Sequence, residues 1–556
     1  MLACAVAGAL VLAGCGGGQG GGTGDPSGYG SQDVNPRDPD SLRDGGTLRL
    51  PLNDLPVNYN YNHVDGHGEW ARDVLWALMP RAFDQSKDGD PVLNADLLTD
   101  AGLVSTLPQV IRYRINDRAV WSNGRPITWE DFAAQVRANN GSDPAFRFVD
   151  KTGYADIERV ERGGTDKEVL VTLRRPFAEW QGRLFYGLYP KEMNGDPAEF
   201  NGWHTEPKIT AGPFRVEKID TTARSIALVR NERWWGRPPR LDRITWTAGD
   251  RAWPDRLADN EIDAYEIDAN VDLLDRARAI PGVKIRRAAT GQRTHITFNG
   301  APGRPLADPA LRRAVAKAID REAIAQRVIG PIVGWAKPLG NHIYPIGSKG
   351  YRDNAGAAPT TTFDPESANR ELDALGWVRQ GSGTGSIRAR GGQPLRLNLV
   401  IFRDDLEYEQ IAKEIAVQLV EVGVEVVIEP VPSARFYPDF VHAGNFDLTA
   451  FGWVLTGPPF SDSVSIYQEP KGGDVGLNYG RIHDPVISEK FAEGTAELDN
   501  SKRIEIGNEI DRLVWDEVHH LPLYAEPGAY AVRENLANYG ARGLADWDYT
   551  KVGFNP

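Results

Sequence analysis

Leu48, Leu50 and Leu52 alternate with Arg49 and Pro51, a period of two that predicts a short strand. A fuller pattern stands near residue 400, where Leu395, Leu397, Leu399 and Ile401 alternate, and Tyr408, Ile411, Ala412, Ile415, Ala416, Leu419 and Val420 then repeat at helical spacing. Gly423 stops that helix, and Val424, Val426 and Ile428 alternate again. Strand, crossover helix and parallel strand in this order predict an α/β domain. Two further helix starts are legible. Thr128 and Asp131 can satisfy free amides ahead of Phe132 and Val136. Asp308-Pro309 combines an N-cap with a first-turn proline before the stripe Leu311, Ala314, Val315, Ala318, Ile319, and Gly330 is expected to close its continuation. The glycine-rich stretch 381–392 reads as a turn between strands; it opens no helix, so it is a poor nucleotide loop. No tandem repeat stands out, and the fold class is mixed α/β with interrupted domains.

The chain has 556 residues, too many for one core, so two or three domains are expected. Lys plus Arg number 63 against 77 Asp plus Glu, a net charge of −14 that disfavours nucleic acid as a partner. The one apolar run near membrane length is N-terminal, which excludes a polytopic membrane protein. Both cysteines, Cys4 and Cys15, fall in that leader. Leu12-Ala13-Gly14-Cys15 resembles the lipobox of bacterial lipoproteins, which implies cleavage before Cys15 and its acylation. No Lys or Arg precedes the run, which points to a start truncated upstream. Residues 16–44, rich in Gly, Ser, Asp and Pro, are expected to form a flexible tether.

Enzyme chemistry finds little footing. There is no Gly-x-Ser-x-Gly elbow, His-Glu-x-x-His, Walker loop or cysteine cluster. His63 and His67, with Glu69 nearby, have metal-ligand spacing, but Gly66 and Gly68 weaken the helix that would present them, so no metal site is assigned. His519 and His520 would point to opposite faces of a strand. Asp404-Asp405 and Asp255 with Asp259 read as solvated carboxylates. The 15 tryptophans are mostly packing residues, with a minority free to line a cleft.

Several blocks then resemble, in order, the extracellular solute-binding proteins of family 5, the oligopeptide- and dipeptide-binding lipoproteins of ABC importers. They are Trp121-Ser122-Asn123-Gly124 through Phe132; Ala211-Gly212-Pro213-Phe214 with Arg230-Asn231 and Trp234-Trp235; and Ala318-Ile319-Asp320-Arg321. Phe363-Asp364-Pro365-Glu366 with Gly376-Trp377, Phe446-Asp447 with Gly452-Trp453, Asn478-Tyr479 through Pro485, and Leu521-Pro522-Leu523-Tyr524 complete the series. The resemblance implies a periplasmic-binding-protein-like clamp (type II, cluster C) of two lobes with an inserted domain. Domain I is expected from 45–78, 200–298 and 521–556, domain II from 79–199 and domain III from 299–520, after a signal peptide over 1–14. The hinge crossings are expected near Thr297-Phe298-Asn299 and His519 to Leu521.

The implied function is peptide capture and delivery to membrane permease subunits, by a lipid-anchored monomer on the outer face of the cytoplasmic membrane. No cofactor, catalytic residue or nucleic acid is implied. The implied contacts are Asp54, Leu55, Pro56 and Tyr59 on one side and Phe451, Gly452, Trp453, Val454, Thr456, Asp462 and Asn478 on the other, although each could equally be a strand-end packing residue. Thr456 stands where peptide binders of the family carry an aspartate for the α-ammonium, so Asp462 or Asp54 would have to substitute. That departure leaves open a same-fold binder of an oligosaccharide, metal chelate or modified peptide. A secreted hydrolase and a lipoprotein that has lost its transporter are the readings of other classes.

Overall fold

The computed structural model describes residues 32–556 apart from 250, 251, 335, 359, 384, 404, 456 and 471–474. The leader with Cys4 and Cys15, and also Asp404 and Thr456, therefore lie outside the described residues.

Four sheets organise the molecule. The first runs in the order Thr47–Leu52, Arg243–Ala248, Ser225–Arg230, Phe214–Asp220, with its first pair parallel and the others antiparallel. A second, antiparallel sheet joins Leu98–Thr106, Gln109–Ile115, Glu168–Leu173 and Ile157–Arg162. These two share one apolar core, in which Leu48, Leu50 and Leu52 are buried as their alternation requires. A five-stranded sheet runs Glu425–Val431, Arg396–Phe402, Leu448–Trp453, Arg293–Phe298, His520–Ala525, over a second core. A three-stranded sheet of Ala264–Glu266, Ala529–Arg533 and Val283–Arg287 joins the two cores, burying Ala264 and Val532 in the first and Tyr265, Ala529 and Ala531 in the second.

The strand–helix–strand unit forms as its periodicity demands. Leu397 pairs with Val426 and Leu399 with Ile428 in parallel register. Between them the helix Leu406–Glu421 is capped by the Asp405 carboxylate, which accepts the Glu407 N–H at 3.1 Å. Gly423 ends the helix at φ +82°, a conformation that costs a residue with a Cβ. At Asp308 the cap forms as expected, accepting the Ala310 N–H at 2.9 Å, but the helix stops at Lys317. Asp320 caps a new helix, Arg321–Val328, and Gly330 opens a further short turn instead of closing one. At the other start Asp131 accepts the Thr128 N–H at 3.0 Å.

Two boundaries shift. Arg293–Phe298 and His520–Ala525 pair with each other inside the five-stranded sheet, so cuts at 298 and 521 would divide bonded strands. The segments 288–292 and 526–528 cross from those strands to Val283–Arg287 and Ala529–Arg533 of the three-stranded sheet. The tether also ends earlier than residue 44. Asp33 exchanges backbone bonds with Ala541 at 2.8 and 3.0 Å, Arg43 donates to Phe554 O at 2.9 Å, and Leu42 is buried, so the segment from Asp33 is sewn onto the last residues.

Candidate functional site

The two crossings are bonded to one another. Thr290 N–H donates to Glu526 O at 3.3 Å, and Glu526 N–H to Gln292 O at 3.0 Å. Gly528, at φ +46°, lets them touch: a Cβ there would sit 2.4 Å from Ala288 O. Above this floor lies a cleft of about 70 Å³ walled by Arg72, Tyr530 and Arg542 on one side and Val454, Leu455 and Pro459 on the other. Sharing Gln85, Gly89, Ser348 and Pro459 with it, a lateral chamber of about 560 Å³ opens between the inserted domain and the far lobe.

Side chains hold the lobes together beside that chamber. Arg183 of the inserted domain bonds Asp150 and reaches Asp462 of the far lobe at 2.8 Å, with both Arg183 and Asp462 side chains only 10% exposed. Asp462 also accepts the Gly457 N–H at 2.8 Å. Glu179 accepts the Ser461 N–H at 2.7 Å and lies 3.8 Å from Arg503; burial raises its pKa while Arg503 opposes the rise. Ala178 N–H donates to Thr495 O at 2.8 Å, and Lys349 pairs with Asp90 at 2.6 Å.

Behind the hinge, two carboxylates meet. Tyr524 donates to Glu407 Oε1 at 2.7 Å, and the Thr294 hydroxyl bonds Glu526 while lying 3.2 Å from Glu407. Burial, and then the neighbouring Glu526 charge, raise the Glu407 pKa well above the carboxylate range, so the pair holds a proton more readily than either acid in water. On the opposite face of the same strand, His295 lies 4.6 Å from His520, and His520 lies 4.5 Å from His519, measured between ring centres. His519 and His520 thus do not point apart: Val518, at φ +50°, ends the preceding helix in a left-handed turn and His519 precedes the strand. Burial drives His519 down to about 3 and the other two well below the imidazole range. His67, pushed down to about 4 by burial, has Nδ1 2.9 Å from Tyr61 O. Among the described residues no group of three His, Cys, Asp or Glu can hold a metal ion.

The residues singled out from sequence scatter. Val454 lines the cleft. Trp453 is held between Tyr479 and His295, with ring centres at 5.6 and 5.8 Å and planes within 17° and 4°. Its strand is an inner one, paired with Arg293–Phe298 from Leu448 to Trp453, so Phe451 and Gly452 offer no free edge on that side; Phe451 is buried. Asn478 donates to Gln468 O and Ile482 O and is 2.9 Å from His519 Nε2. Asp54 forms a surface pair with Arg224 at 2.9 Å, and it, Leu55, Pro56 and the buried Tyr59 line neither cavity. Asp462, expected as a ligand anchor, is spent on Arg183. Arg183, Glu179, Lys349 and Glu407 carried no signal, since their partners lie in distant segments: Arg183 and Asp462 are 279 positions apart.

Two lobes, a double crossing between them and a cleft beside it define a hinged solute-binding protein. The chain belongs to the bacterial extracellular solute-binding proteins of family 5, whose model matches residues 93–474. It is 41% identical over 529 residues to the oligopeptide-binding protein OppA of Mycobacterium tuberculosis, covering 94% of this chain and 87% of that one. Among solved structures it is similar to a periplasmic EDTA-binding protein, EppA, at 27% identity and a TM-score of 0.85, covering 94% and 98% of the two chains. It also shares the fold of Bacillus subtilis AppA, solved with a nonapeptide, at 19% identity and a TM-score of 0.74, covering 92% and 99%.

Proposed function

We propose that this chain captures extracellular peptides between its lobes and hands them to the permease of an ABC importer, as a monomer anchored through Cys15 at the outer face of the membrane. The observation that carries the reading is the 41% identity to an oligopeptide-binding protein along 94% of the chain. The cleft suits that ligand. Gly89, Gly291, Gly457, Gly528 and Gly543 border it, so a peptide backbone can approach closely, and backbone pairing needs no particular side-chain sequence. Val454, one of the contacts expected from the far lobe, borders the cleft. Nothing in the reading calls for covalent chemistry.

A second reading, a polycarboxylate chelate or other small acid, is favoured by the Arg72 and Arg542 guanidiniums in the cleft wall and by the likeness to EppA. The test is a thermal-shift and calorimetry panel on the body from about residue 32. Free peptides of varied sequence should raise the melting temperature. Stabilisation by chelates or glycans alone would replace the peptide assignment.

A further inference from the structure

A third cavity, of about 330 Å³, shares no wall residue with the cleft or the lateral chamber. Small-molecule sites occupy about 300–1,000 Å³, so it has room for a ligand. Its walls come from 76–97, Pro213, 234–237 and 547–551, and none from the far lobe, so its shape does not depend on closure. Trp76, Trp234, Trp235, Trp547 and Tyr549 border it. Trp234 and Trp235 form the turn that stands among the family blocks and borders neither other cavity. Their ring centres are 4.8 Å apart, and the turn is fastened to Asp96: Trp235 Nε1 donates to Asp96 O at 2.6 Å, and Gly236 leaves no room for a Cβ beside Asp96 Oδ1. The carboxylate thus rests against the turn that carries the tryptophan pair.

Charge in this wall divides unevenly. Arg81 pairs with Asp84 at 2.6 Å, Lys551 with Asp548 at 2.9 Å, and Arg237 with Asp40, outside the cavity, at 3.1 Å. Asp96 makes no ion pair among the described residues. Burial, then the charges of Asp548 and Asp84, raise its pKa against the opposing pull of Lys551 and Arg118, so the surplus potential beside it is negative. Aromatic faces stabilise a cation most where water is excluded. Arg81 already lies over Trp76 at 5.0 Å, while Trp234, only half-buried, remains open to a ligand.

We propose that this cavity is a separate binding site for a small organic ammonium ion, with Asp96 as the counter-ion and the Trp234-Trp235 pair as the aromatic wall. It is independent of what the lobes clamp and needs no hinge movement to fill.

The probe is choline, set against the uncharged alcohol of the same shape in which carbon replaces the nitrogen, with binding read by tryptophan fluorescence and calorimetry. On the unaltered protein choline should bind at least about tenfold more tightly than the alcohol. Asp96→Asn should weaken choline about tenfold and leave the alcohol unchanged, and Trp234→Leu should weaken choline about fivefold. Glu266→Gln alters the carboxylate of the hinge cleft and should leave choline binding as it was. Should a variant fail to fold, the contrast between the two probes on the unaltered protein still decides. Equal binding of the two probes, no choline binding up to about 50 mM, or a loss that follows Glu266→Gln instead of Asp96→Asn overturns the proposal. Failure to bind any peptide would overturn the peptide assignment and leave this site standing.

Discussion

The hinge end and the bridging end of the cleft are built from different materials. At the hinge, backbone bonds tie Thr290 and Gln292 to Glu526, Gly528 admits the close crossing, and buried rings and carboxylates lie behind. At the bridging end, long side chains from the inserted domain, Glu179 and Arg183, reach Ser461, Asp462 and Arg503 of the other lobe. A joint must survive both open and closed states, so its contacts are local and between main chains. Contacts made only on closing are free to be ionic and remote in sequence, and they bias a population without setting the fold.

Disturbing the hinge should cost most. Gly528→Val forces a Cβ into Ala288 O from a left-handed φ, and should remove about 3 kcal/mol or more of stability, read as a lower urea midpoint. Asp462→Ala leaves Arg183 its bond to Asp150 but removes the bridge, so the fold should hold while closure weakens. Ligand affinity should fall about tenfold, or about 1.4 kcal/mol, and small-angle scattering should show a larger radius without ligand. An unchanged radius and affinity would mean the bridge is incidental.

Acid should act on the hinge side next. His295, His519 and His520 are neutral in the folded chain, faced by Arg293, His342, Asp511, Tyr467 and Arg312. Since their folded pKa values are depressed, the stability they contribute is present above about 6.5 and drains away as pH falls from there toward about 3. Glu407 runs the other way, its raised value contributing stability at low pH that is lost as pH rises through it. The histidines outnumber it, so a net loss of about 1–2 kcal/mol is expected between pH 7.5 and 5.5, with a shallower slope in His519→Gln. The smallest effect belongs to the surface turn. Asp54→Ala breaks a pair whose carboxylate is 76% exposed, and should shift stability by at most about 0.5 kcal/mol and leave ligand affinity unchanged.

What could be read from the residues was what local pattern determines. The strand, helix and strand around 395–431 followed from periodicities of two and 3.6, and the cap at Asp308 from short-range bonding, whereas Asp405, read as a solvated carboxylate, caps the helix Leu406–Glu421. The site was less legible. Trp453 looks like a ligand lid in one dimension, yet Tyr479 and His295 hold both its faces. Asp462 looks available until Arg183 arrives from another domain. Sequence spacing is blind to such encounters, and the lobe boundary taken from the family resemblance fell among strands that pair in one sheet.

The seam between residues 33–43 and the final stretch, including Ala541 and Phe554, bears on biogenesis. Asp40 in that stretch already pairs with Arg237 and Arg240, but the long-range backbone bonds of the segment wait for Ala541 and Phe554, so the base of the body cannot be completed before the last-emerging part exists. A chain cut before Phe554 would lose the Arg43 bond, and one cut before residue 538 would leave the whole amino-terminal stitching undone.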